Sequence, residues 1–216
     1  MKYLFVFFLV MISIPAQAEV FAWKDPQYNI ALTYPDDWMY QATEKSYARL
    51  HIVAPQGQDE AACRVIANND NRFLYVPPQG QMQVSQFVQD EKSLQNLFEG
   101  YLQYANVRLV RYNDIAALGK GPASLAVAQY YKVTKDRQIP MQSLVFGGYV
   151  QGLETFFQCE AAANAWDKWQ PVFMNMVKTF DLPPKTSPLP NGYYRDFMAD
   201  GFVYFPAGRN KGVARY

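Results

Sequence analysis

The sequence predicts an α+β domain centred on an antiparallel β-sheet. Apolar and polar residues alternate with a period of two through most of the chain, the pattern of strands with one buried face. Two segments switch to a helical period instead. Gln151 and Gly152, set between two strand-like runs, make a hairpin so tight that the strands on either side must run antiparallel.

The chain opens "MKYLFVFFLVMISIPAQAEV". One lysine, an apolar run from Tyr3 to Ile14, the helix-breaking Pro15 and the small-x-small triplet Ala16, Gln17, Ala18 give residues 1–18 the pattern of a secretory signal peptide, cut after Ala18. The run falls short of the about 20 apolar residues of a spanning helix, and no longer one follows, so no transmembrane span is expected in the exported chain. No cysteine stands at the cut site to carry a lipid. The short signal with a single basic residue has a bacterial look, which points to the periplasm, with full secretion as the alternative.

In "YNIALTYPDDW", Tyr28, Ile30, Leu32 and Tyr34 share one face of a strand and Asn29, Ala31 and Thr33 the other. Pro35, suited to position i+1 of a turn, ends it with Asp36 and Asp37, and Trp38 is expected to drop onto the core. "SYARLHIVA" sets Ala48, Leu50, Ile52 and Ala54 against Arg49 and His51, and "CRVIAN" makes a further strand closed by the polar cluster Asn68 to Arg72. Residues 84–102 take the helical period, with Val84, Phe87, Val88, Leu94, Leu97, Phe98, Tyr101 and Leu102 on one stripe. Strand patterns return from 107 to 161 and read as a meander. Between Asn164 and Phe180 a second helix carries Trp169, Phe173, Met176, Val177 and Phe180 on one face; Pro171 either delays its start to about Gln170 or kinks it. The domain, residues 19–182, is followed by a proline-rich linker, 183–192, and an aromatic tail, 193–216.

Charge narrows the function. The full chain has 20 basic and 19 acidic residues, and loss of 1–18 removes one lysine and no acid, leaving a neutral balance. That argues against a nucleic-acid partner, whose phosphates demand a basic surplus. Cys63 and Cys159, the two cysteines, both fall on the apolar side of their strands. In an oxidising compartment they form a disulfide; the alternative is a pair of buried free thiols.

Candidate chemistry is sparse. Asp36 and Asp37 are adjacent, so their carboxylates diverge and serve the turn rather than a shared proton or metal. His51 is the one histidine, which excludes any site needing two imidazoles. As a catalyst it would need a nucleophile on its own strand face, and the cysteines lie on the other. Met174 and Met176 point about 200° apart on a helix and cannot share a copper ion. Asn68 to Arg72 lacks the spaced acids of a calcium loop. No nucleotide or nucleophile-elbow motif is present, so neither cofactor nor metal is expected.

The "Y-x-I-x-L-x-Y-P-x-x-W" strand and turn, the helix before a late meander and the closing "W-x-P-x-F-x-x-M-V-x-x-F" helix resemble the PsbP-like superfamily, which includes PsbP, the Ran-binding Mog proteins and periplasmic DcrB-type proteins. The likeness covers about residues 20–182. It implies an antiparallel sheet of about six strands with helices on both faces, an α/β/α sandwich. It also implies an accessory or binding role, since the superfamily shares no single activity.

The expectation is therefore a non-catalytic exported protein acting through protein–protein contacts in the bacterial envelope. Tyr193, Tyr194, Phe197, Phe202, Tyr204 and Phe205 are the candidate partner-binding residues, either folded back as a hairpin or exposed to a partner or, peripherally, to a membrane surface helped by Arg209, Lys211 and Arg215. The alternatives are a small-ligand or lipid carrier with an apolar cleft beneath helix 84–102, and an enzyme using His51.

Overall fold

The computed structural model describes residues 19–43, 47–55, 59–70, 80–99, 103–150 and 152–182, with the short strands 202–204 and 213–215. Residues 1–18, read as a signal peptide, and 183–192, read as a linker, lie outside the described residues, as do Tyr193, Tyr194, Phe197 and Phe205.

A seven-stranded antiparallel sheet forms the centre. Its strands are β3 (Met39–Tyr40), β4 (Ala48–Val53), β5 (Ala62–Asn69), β6 (Tyr104–Leu118), β7 (Gly121–Val133), β8 (Gln138–Val150) and β9 (Leu153–Ala162), in the spatial order β3-β4-β5-β9-β8-β7-β6. The meander read from 107 to 161 is β6 to β9, each strand pairing with the next. β9 then turns back to the early part of the chain by pairing with β5. The sheet has one strand more than the resemblance implies; the two-residue β3 supplies one edge.

The strand in "YNIALTYPDDW" stands apart from that sheet. Here β2 (Ala31–Pro35) pairs with β1 (Val20–Lys24), a strand the sequence reading passed over, in a separate ribbon. The ribbon is fastened to the C-terminal end of α3 (Trp166–Thr179): Ala31 and Asp181 exchange backbone hydrogen bonds of 3.0 and 2.7 Å, and the Thr33 amide donates to Thr179 Oγ1 at 3.0 Å. Asp36 and Asp37 form an exposed turn in which the Trp38 amide donates to the Pro35 carbonyl at 3.1 Å. Pro35 therefore occupies the first turn position, and the two aspartates the central ones. Trp38 packs edge-on against Trp169 and Phe173, with ring centres 5.5 and 6.3 Å away.

One apolar layer joins the ribbon and α3 to one face of the sheet: Ile30, Leu32, Leu50, Ile52, Val65, Phe157, Phe173 and Phe180 are all buried in it. α3 starts at Trp166 and runs through Pro171 to Thr179, after a 3-10 turn at Ala163–Ala165. The predicted stripe packs as expected, with Trp169 half-buried at its margin. Met176 is buried within this layer and Met174 flanks it, so the pair serves packing.

The opposite face is covered by two helices rather than the single one expected. α1 (Gln81–Val88) ends at Gln89, and Asp90 opens α2 (Glu91–Glu99) by accepting the Ser93 amide at 2.8 Å. An aspartate three residues before a serine amide is a helix start, and here it interrupts a continuous apolar stripe. Leu94 and Phe98 bury against Ile66, Ala126, Tyr130, Val145 and Phe156. Phe87, placed on the buried stripe by periodicity, is 68% exposed, because the break at Gln89 rotates the first helix relative to the second. Leu94 and Phe98 thus fill the layer between α2 and the sheet.

Two features lock the halves together. Cys63 and Cys159 stand directly opposite each other on β5 and β9 and are joined by a disulfide, fully buried against the α3 side. Gly119, at φ +58° in the β6–β7 turn, donates its amide to the Val177 carbonyl near the end of α3 at 3.0 Å. In the tail, Phe202–Tyr204 pairs antiparallel with Val213–Arg215 as a small sheet of its own.

Replacing both Cys63 and Cys159 by alanine is expected to cost about 2–5 kcal/mol, since the bridge closes a loop of 96 residues; chemical denaturation of the oxidised and substituted chains measures it. Gly119→Ala is expected to cost about 2 kcal/mol or more, because a Cβ there would sit 1.7 Å from the Phe180 carbonyl oxygen at a positive φ. Thermal unfolding checks that value, and the neighbouring Gly121→Ala, with no contact closer than 3.6 Å, is the control.

Candidate functional site

β9 reads "LETFFQCEAA" and is buried at nearly every position. Alternation along it sends Cys159 toward α3 and Glu160 toward the other face. Glu160 is only 1% exposed, so its charge must be met inside the protein. Antiparallel pairing with β5 supplies the first partner: Ala62 lies opposite Glu160 and Arg64 opposite Gln158, which sets the Arg64 guanidinium diagonally across the carboxylate, 2.8 Å from Glu160 Oε1.

The other partners come from the far strands of the meander. The hydroxyls of Tyr104, at the start of β6, and Tyr130, on β7, both donate to Glu160 Oε2, and their rings stack with centres 4.1 Å apart. From β7, Lys132 brings its ammonium to 3.7 Å from Glu160 Oε1 and 3.2 Å from Glu60 Oε2. Arg137 reaches the other Glu60 oxygen at 3.0 Å. Burial alone would raise the Glu160 pKa, but Arg64, Lys132 and the two tyrosine hydroxyls outweigh it and hold the group below the ordinary carboxylate value. Burial, reinforced by the Glu160 charge, pushes both tyrosines well above the usual phenol value.

Beside this network opens a cleft of about 310 Å³. Arg64, Lys132, Glu60 and Glu160 line it together with His51 and the exposed rim residues Gln41 and Gln103. His51 on β4 is paired across the sheet with Arg64 on β5. Its imidazole makes no hydrogen bond or ion pair with another described residue. Burial lowers its pKa, and Arg64 and Lys132 lower it further against the opposing pull of Glu160. The cleft thus holds a neutral imidazole at neutral pH. Its lower wall is tied to α3 through Asp59, which accepts from Lys168 and from Trp169 Nε1 at 2.9 Å.

The sequence placed Arg49 beside His51. A bulge between Ala48 and Leu50 separates them, and Arg49 instead pairs with the buried Asp25 at 2.7 Å and packs over the Tyr28 ring. Asp36 and Asp37 lie in the turn that leads from β2 of the ribbon to β3 of the main sheet. The cysteines lie on the opposite face of the sheet from Glu160, joined to each other. Asn68 and Asn69 close β5, and the Asp70 amide bonds to the Gly152 carbonyl at 2.8 Å, while Asn71 and Arg72 of that cluster lie outside the described residues. Of the tail aromatics, Phe202 and Tyr204 fall on the described strand 202–204.

Arg64, Lys132, Glu160, Tyr104 and Tyr130 were not singled out in the sequence. One signal was available: a glutamate at an inward position of a strand otherwise apolar and aromatic, which has to be matched by a cation elsewhere. Which cation cannot be read without the strand register.

No family model and no curated relative matches this chain. Among solved structures it is similar to the cyanobacterial PsbP of Synechocystis sp. PCC 6803, at 13% identity over 77% of this chain and 94% of that one, with a TM-score of 0.46. It is similar to the Ran-binding protein Mog1p of Saccharomyces cerevisiae, at 7% identity over 78% and 98%, TM-score 0.49. A third is LpqN of Mycobacterium tuberculosis, a protein involved in cell envelope biogenesis, at 16% identity over 77% and 91%, TM-score 0.43. The observed architecture, an antiparallel sheet with helices on both faces, is the α+β class that the sequence predicts.

Proposed function

We propose that this chain is an exported, non-catalytic binding protein of the bacterial envelope that engages a partner at the polar cleft. The observation that carries the reading is the state of Glu160. Every oxygen of the one deeply buried acid in the cleft is already held by Arg64, Lys132, Tyr104 or Tyr130, so it is a fixed wall and not a proton acceptor waiting for substrate. The tyrosine hydroxyls are committed to that carboxylate, the thiols are joined on the opposite face, and among the described residues lining the cleft none carries a hydroxyl or thiol that could serve His51 as a nucleophile in acyl or phosphoryl transfer.

A buried disulfide suits an oxidising compartment, and together with the N-terminal pattern of 1–18 it supports a periplasmic location. Among the described residues no helix is long and apolar enough to cross a membrane. The aromatic tail, with Tyr193, Tyr194, Phe197, Phe202, Tyr204 and Phe205, is proposed as an accessory contact to the same partner. A small-ligand reading is favoured over a lipid-carrier one by the polar lining of the cleft and the filled layer beneath α1 and α2.

A photoreactive amino acid placed at Gln41 or Gln103 on the rim should give a discrete crosslinked product in living cells, while the same group at Lys178 on α3 gives none. Products from Lys178 alone would overturn the reading. A second expectation concerns acid. The unfolded state binds protons first at His51, whose folded pKa is lowered, and then at Glu160, whose folded pKa is also lowered. Stability is therefore expected to decline as pH falls below about 6.5 and again below about 4.5. His51→Gln should remove the first decline and keep the second, as followed by urea denaturation across pH.

A further inference from the structure

We infer that the cleft binds a monoanionic carboxylate, seated on the Lys132 ammonium with His51 in the same lining. The inference deepens the binding role proposed above and rests on it. It follows from counting which polar atoms of the cleft are already in use. Glu160 accepts from Arg64 at one oxygen and from two tyrosine hydroxyls at the other. Glu60 accepts from Lys132 at one oxygen and Arg137 at the other. Asp59 accepts from Lys168 and Trp169. Glu160 and Glu60 are thus engaged at both oxygens, while Asp59 uses Oδ2 alone on the α3 side, so a cationic ligand beside Lys132 would have to break an existing ion pair.

Around Lys132, donors are what remain. Lys132 carries three ammonium protons, and among the described residues it makes one hydrogen bond, to Glu60 at 3.2 Å, with Glu160 beyond hydrogen-bonding range at 3.7 Å. The His51 imidazole, half-buried and unbonded among the described residues, adds a further donor. A ligand that enters must therefore bring acceptors. The flanking carboxylates of Glu60 and Glu160 set the charge it can carry. A dianionic phosphate at Lys132 would face two anions across a few ångströms, whereas a single negative charge replaces the water that Lys132 would otherwise keep. At about 310 Å³ the cleft has the size of the smallest ligand pockets, enough for a small organic acid or for one acidic or C-terminal residue of a protein partner.

The same carboxylate chemistry can arrive free or on a polypeptide, and His51 reports on both. As the one histidine of the chain, it gives a single imidazole signal in proton NMR of the untagged protein. The groups facing it are Arg64 on β5, Lys132 on β7 and Glu160 on β9. An added anion beside Lys132 favours the imidazolium and so moves the His51 titration midpoint upward.

The test titrates the purified chain from Glu19 onward with sodium acetate, with N-acetyl-triglycine and with the same peptide ended as an amide, against sodium chloride at equal ionic strength. The inference expects the His51 signal to shift and its midpoint to rise with a free carboxylate and not with the amide or chloride. Lys132→Gln should weaken the effect by about tenfold or more, and Lys132→Arg should retain it. A response to both acetate and peptide identifies a free acid as sufficient, and a response to the peptide alone identifies a chain terminus. No response to either, an equal response to the amide, or a response unchanged in Lys132→Gln would overturn the inference. The measurement uses the isolated protein, so it can fail while cellular crosslinking at the rim succeeds, and the reverse.

Discussion

The pairing of β5 with β9 is the constraint from which the rest of the structure follows. It joins segments 96 residues apart at the cysteines, and it does so in the middle of a seven-stranded sheet. Because side chains alternate, one register sets the contents of two faces at once. Cys63 opposite Cys159 puts the bridge into the layer under α3, and the same register puts Arg64 diagonally across from Glu160 on the other side. A slip of one residue would separate the sulfurs, bury the arginine among Phe157, Phe173 and Phe180, and leave Glu160 without its closest cation. The disulfide and the ion pair therefore specify the same alignment from opposite sides of the sheet.

That arrangement also explains how a charged group survives at the centre of the sheet. A buried ion pair recovers its desolvation cost only when the remaining lone pairs are also met. Glu160 meets that condition with two phenols and a second cation in addition to Arg64. The phenols come from β6 and β7, and the cations from β5 and β7, so the carboxylate gathers both halves of the sheet around one point. The cleft beside it lies toward β4, which contributes His51 and Val53, while α2 covers Ile66 farther along β5.

Much of the architecture was legible. The alternation in β4, β5 and β7 to β9 and the turn after Tyr34 follow from local chemistry, and so does the stripe on α3, because period and turn residues act within a few positions. The paired cysteines were legible from compartment and parity. The helix break at Gln89 was not, since Asp90 as a cap competes with an unbroken apolar stripe and only packing decides between them. The ribbon of β1 and β2 was missed because β2 has the same alternation whichever partner it takes. The cleft residues were hidden for a related reason: Arg64 and Lys132 read as ordinary outward-facing charges until strand order brings them to Glu160. Bulges add to this, as at Ala48 to Leu50, where one irregularity undoes the expected company of Arg49 and His51.

The outer strand β6 has a bearing on how neighbouring copies of the molecule meet. It is 15 residues long and unpaired along one side within the sheet, a length that in a flat strand would invite another chain to add itself. Its ladder with β7 shifts register three times, at Ala105 to Arg108, Leu109 to Arg111 and Asn113 to Ala116, and Asn106 takes a positive φ within the first. A register shift bends a strand and raises its local twist, so each one breaks the flat edge that an added strand would need. Irregularity along this border thus works against edge-to-edge addition without spending any residue of the core.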